Sequence, residues 1–115
     1  MTVTRTVTIE HHITVDDLEA MAETAALGIG YWAIHRAGNV WSEFEEPADP
    51  FGEVTPTGKT FKLDADTVHL GISLMAAEGS PGWHSISRDV IEGGADINAC
   101  DALVQYGVFG ELVYG

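Results

Sequence analysis

ITVDDLEAMAETAALGIGYWAIHRAGNVWSEF, residues 13–44, decides the fold class, because its hydrophobic period changes from helical to alternating within one stretch. Thr14 stands where a helix N-cap is wanted. Asp17 follows three residues later and Asp16 adds negative charge to the first turn. Ile13 and Leu18 fall at the two positions of a hydrophobic staple. Leu18, Met21, Ala22 and Ala25 recur at helical spacing as a buried stripe, and Gly28 is placed to end the helix. Gly28-Ile29-Gly30 then leads into an expected strand, Tyr31–Arg36. Ala37-Gly38-Asn39 reads as a tight turn, and Val40–Phe44 returns antiparallel to complete a hairpin.

Upstream of this unit, Val3, Val7 and Ile9 alternate with Thr4, Thr6 and Thr8, with Arg5 on the apolar side, which predicts a half-buried strand. Downstream, residues 45–58 hold three prolines and two glycines with little periodicity and read as a long acidic surface loop. Thr60–Leu63 predicts a short further strand. Asp64 caps a second helix with Val68, Ile72 and Met75 on one face, stopped by Gly79-Ser80-Pro81. A third helix is expected over Trp83–Glu92 and a fourth from Asp96 through Leu103 and Val104. Gly107 and Gly110 weaken that last helix by about 1 kcal/mol each, yet Leu103, Val108 and Leu112 keep helical spacing, so helix is expected onward. The predicted order is β-α-β-β-β-α-α-α. It describes one α+β domain over residues 1–115, with an antiparallel sheet of three to four strands and three to four helices packed on one face.

The chain has 115 residues, 45% hydrophobic and 20% charged, which suits a globular domain with a real core. Its formal charge is −13, with five bases (Arg5, Arg36, Lys59, Lys62, Arg88) scattered along the sequence. So few dispersed bases cannot track a phosphate backbone, which argues against direct nucleic-acid binding. The acids concentrate at Glu43, Glu45, Glu46, Asp49 and Glu53, a run without a base that could dock on a basic partner. No apolar run reaches the ~20 residues that span a bilayer, and the first residues read as strand rather than signal peptide. A cytoplasmic protein that does not engage membranes is expected. Cys100, the one cysteine, cannot form an intramolecular disulfide and reads as a small core residue.

Motifs for catalysis and metal binding are missing from the pattern. His11, His12, His35, His69 and His84 form no HExxH, HxH or HxxxH pair, so no metal site is expected. No GxSxG elbow surrounds a serine. Gly28-Ile-Gly30 runs from helix to strand, the reverse of a dinucleotide fingerprint. An enzyme or a bound cofactor is therefore not expected. Binding chemistry is better represented. Tyr31, Trp32, His35 and Arg36 share one expected strand, Trp41 its partner, and Trp83, His84 and Arg88 the start of the third helix. Aromatic faces stack on bases and arginine grips phosphate. On a strand, Trp32, Ile34 and Arg36 would share one face and Tyr31, Ala33 and His35 the other, one of which must be core.

The Gly28-Ile-Gly-Tyr-Trp32 block after a capped helix, with Phe109-Gly-Glu-Leu-Val-Tyr-Gly115 at the end of the sequence, resembles a group of small uncharacterised phage and prophage proteins of actinobacterial hosts. That resemblance carries no catalytic or binding residues. It implies an accessory role against host defence. Two routes suit a small non-enzymatic protein. One is sequestration of a nucleotide-type immune signal, such as a cyclic nucleotide or an ADP-ribose derivative, by a homo-oligomer using the aromatic and arginine set. The other is inhibition of a host or defence protein by an acidic surface, as a nucleic-acid mimic or a protein–protein blocker.

Overall fold

In a computed structural model, which describes residues 13–44, 58–79 and 81–115, the order of elements follows the sequence reading from residue 13 onward. Helix α1 (Val15–Gly28) runs into a single 3-10 turn (Ile29–Tyr31). Strands β1 (Ala33–Ala37), β2 (Val40–Glu43) and β3 (Thr60–Lys62) follow, then helices α2 (Ala65–Glu78), α3 (Pro81–Ile91) and α4 (Ile97–Phe109). The strands make an antiparallel sheet in the order β1-β2-β3, and the helices pack against it. The expected strand at Val3–Ile9 and the expected loop lie outside the described residues, apart from Gly58. None of the described helices is long and apolar enough to cross a membrane.

Local chemistry explains the helix starts. Thr14, Asp64 and Asp96 are extended N-caps, each accepting a hydrogen bond from the backbone N–H three residues on: Asp17 at 3.1 Å, Thr67 at 3.0 Å and Ala99 at 2.8 Å. Ile13 packs partly buried against the core, as the staple requires. Gly79 ends α2 in the left-handed region at φ 65°. The inward stripes are those expected: Leu18, Met21, Ala22 and Ala25 on α1, and Val68, Ile72 and Met75 on α2.

Three expectations need correction. The strand expected from Tyr31 begins only at Ala33, because Ile29–Tyr31 continues α1 as a tighter turn. Trp32 sits at the end of that turn with φ −132° and ψ −8°, outside strand geometry, so strand alternation does not govern it. Trp32 and Ala33 are therefore both buried. The core-directed face of the sheet carries Ala33, Trp41 and Phe61; register sets Trp41 opposite Phe61 on one side and opposite His35, two residues on from Ala33, on the other. Arg36 is the extra residue of a β-bulge between His35 and Ala37 and is exposed.

The second correction concerns the end of α4. The helix passes through Gly107 and stops at Gly110, which takes φ 77° and closes the helix by donating to the Tyr106 carbonyl at 2.9 Å. Glu111–Gly115 are not helical, and Leu112 is exposed instead of extending the stripe. The bounds of α3 also shift, to Pro81–Ile91.

Candidate functional site

The eight residues expected to bind a ligand do not converge on one place. Trp32 is fully buried in the core, ring-stacked with Phe61 on centroids 5.4 Å apart and with Tyr114 at 5.5 Å. Tyr31 lies beside it with 43% of its surface exposed. His35 and Trp41 meet across the hairpin with ring centroids 5.1 Å apart, and His35 Nε2 donates to the Gly38 carbonyl at 2.6 Å. Trp83 packs partly buried on α3, while His84 is exposed. Arg88 pairs at 3.2 Å with Glu92, four residues on and just past the end of α3. Of the acids expected to meet a partner, Glu43 is engaged internally: its carboxylate accepts from the Tyr114 hydroxyl and from the Lys59 backbone N–H. Glu45, Glu46, Asp49 and Glu53 lie outside the described residues.

One groove collects part of this set. It encloses about 730 Å³ between α1, the β1-β2 hairpin and the start of α2. His35 and Trp41 line it from the hairpin, Glu19 and Glu23 from α1, and Asp64 and Asp66 from the start of α2. Glu19 and Glu23 stand one turn apart on the same helical face. Val15, Ala22, Ala26 and Leu63 supply an apolar lining. Neither Lys nor Arg lines the groove among the described residues. Asp64 also caps α2, so its charge is partly committed, whereas Glu19, Glu23 and Asp66 are exposed.

A second constellation was missed by the sequence reading. Asp101 on α4 accepts three hydrogen bonds: from Trp32 Nε1 at 2.8 Å, from Gln105 Nε2 at 2.9 Å and from the Tyr31 hydroxyl. Gln105, 1% exposed, accepts at Oε1 from the backbone N–H groups of Val113 and Tyr114, at 2.9 and 2.8 Å. Its Nε2 donates to the Tyr114 carbonyl at 3.2 Å. The Gly28–Trp32 block and the Phe109–Gly115 block thus meet on one face of α4. The sequence signals this only by Asp101 and Gln105 standing four apart in a largely apolar helix.

Burial, then the hydrogen bond and negative charge of Asp101, push the Tyr31 phenol up from 10 to about 12. An unfolded chain releases this proton near 10. Stability from the neutral phenol is therefore complete below pH 10 and falls as pH rises through 12. In an alkaline titration at 295 nm, subtracting the Tyr31→Phe curve from wild type should reveal a phenol ionising about two pH units above free tyrosine. A difference curve centred at 10 would disprove the contact with Asp101. Cys100 is buried, and burial with the nearby Asp96 charge pushes its thiol up to about 11, which suits a packing role over a nucleophilic one.

The fold and groove define a small α+β domain with an acidic, aromatic-walled cleft. No protein-family model matches the chain, and no curated protein or solved structure matches it.

Proposed function

We propose that this is a non-enzymatic binding protein that inhibits a partner protein by taking a basic segment of it into the α1–hairpin groove. The carrying observation is the groove's lining, in which four carboxylates face the His35–Trp41 pair over an apolar floor. Carboxylates around a partly enclosed cleft concentrate cations and repel anions, and an indole face adds cation–π attraction for Lys or Arg. The resemblance to small phage proteins makes host defence proteins the first partners to try. The same cleft is a poor receptacle for an anionic nucleotide. Sequestration of a nucleotide-type signal is the second reading, favoured by the exposed Arg36 on the bulge next to the His35–Trp41 rings.

Fluorescence anisotropy with a labelled arginine-rich peptide and, separately, a labelled cyclic dinucleotide tests both. Glu19→Gln/Glu23→Gln should weaken peptide binding about tenfold, and raising salt should weaken it further. The control Glu78→Gln/Asp89→Asn removes the same two charges from exposed sites outside the groove lining, and should change little. Equal losses in both variants would reduce the effect to net charge and refute the groove. Selective nucleotide binding abolished by Arg36→Ala would replace this reading with the second.

A further inference from the structure

The groove between α1 and the hairpin offers a cation more than negative charge. Its α1 wall is one helical stripe, in which Glu19, Ala22, Glu23 and Ala26 are neighbours three or four residues apart. Ala22 and Ala26 present only methyl groups, so an apolar floor runs at the feet of two exposed carboxylates. Asp64 and Asp66 add carboxylates from the start of α2. Among the described residues, Trp41 is the one indole in this lining. It is half-buried, packs against the core, stands opposite Phe61 of β3 and meets the His35 ring at 5.1 Å. His35 is in turn fixed on the Gly38 carbonyl. The aromatic surface is thus held in place before any partner arrives, which lowers the ordering cost of binding.

A cationic side chain entering this groove meets a flat aromatic surface together with carboxylates. Lysine brings a compact, strongly hydrated ammonium, which gains charge attraction but has no plane to stack. Arginine brings a planar, more weakly hydrated guanidinium, which stacks on an indole while its edge N–H groups grip a carboxylate as a fork. Both carry an aliphatic stem that suits the alanine floor, so the head group decides. We propose that Trp41 makes this groove select arginine over lysine in the partner's basic segment, with the guanidinium stacked on the indole and its fork on the Glu19 or Glu23 carboxylate. This inference rests on the basic-segment reading above, and adds to it the residue type that is read and the side chain that reads it.

Two labelled peptides of equal length and charge, one with arginine and one with lysine at every basic position, separate the two ideas by fluorescence anisotropy. Wild type should bind the arginine peptide about tenfold more tightly. Trp41→Leu keeps all four carboxylates of the lining and removes the indole, so the preference should vanish while both peptides still bind. If Trp41→Leu does not fold, wild type with an asymmetrically dimethylated arginine peptide decides. Methylation keeps the charge and blocks the fork, so binding should drop to the level of the lysine peptide. Equal affinity of wild type for the two unmodified peptides would overturn this inference and leave the basic-segment reading in place. So would an arginine preference that survives in folded Trp41→Leu or after dimethylation. Failure of both peptides to bind wild type would remove the inference and the reading together.

Discussion

Gly71→Ala and Gly107→Ala should each destabilise the protein by about 3 kcal/mol or more, lowering Tm by roughly 10–20 °C. Helix α2 crosses α4 so closely that main chain meets main chain. A Cβ on Gly71 would overlap the Leu103 carbonyl oxygen, and one on Gly107 would overlap the Thr67 carbonyl oxygen, both well inside the 3.0 Å that real Cβ contacts keep. Backbone cannot turn aside as a flexible side chain can, so the helices must separate, and the packing of Val68, Ile72, Leu103 and Val104 loosens with them. Intrinsic propensity predicts the opposite sign, a gain of about 1 kcal/mol per glycine replaced inside a helix. Gly30→Ala is the matched control. Its Cβ would meet nothing within 4 Å and its backbone is not left-handed, so stability should change little. Thermal unfolding of the three variants decides. Stabilisation by Gly107→Ala would mean that the close crossing does not exist in solution.

Asp101→Ala should cost about 2–4 kcal/mol, because it strands the N–H of a Trp32 that has no exposed surface and removes one partner of the buried Gln105 amide. Asp101→Asn retains an acceptor at the Oδ1 position and should lose only about 1 kcal/mol. A double-mutant cycle isolates the bond. Trp32→Phe removes the orphaned donor, so Asp101→Ala should cost markedly less in that background than in wild type. Denaturant unfolding followed by circular dichroism reads all four chains without depending on the tryptophan. Additive losses would show that Asp101 acts through something other than the Trp32 hydrogen bond.

The helix starts were legible because capping is local. Thr14, Asp64 and Asp96 each satisfy a donor three residues away, so a window of four residues contains the whole interaction. The hairpin at Gly38 and the stop at Gly79 were legible for the same reason, since both glycines take the positive φ their turns require. The candidate site was less readable. Tyr31, Trp32, His35 and Trp41 were singled out as binding residues, but the extra 3-10 turn before β1 carried Trp32 into the core and left His35 and Trp41 lining the groove with acids from α1 and α2. Asp101 and Gln105 were passed over, since their partners Tyr31 and Trp32 lie about seventy residues earlier in the chain.

Gly107 and Gly110 make the division plain. The sequence by itself determined where helices begin, which stripes are apolar and that strands follow α1, because these depend on caps, turns and periodicities confined to a few neighbouring residues. It could not say that one glycine would be carried through α4 and the next, three residues on, would end it. That was decided by α2, whose Thr67 carbonyl occupies the space a side chain at 107 would need, and by Gln105, whose side-chain oxygen accepts from the N–H groups of Val113 and Tyr114 beyond Gly110. Contacts between distant segments set those choices, and their energies of a few kcal/mol exceed the local preferences they override.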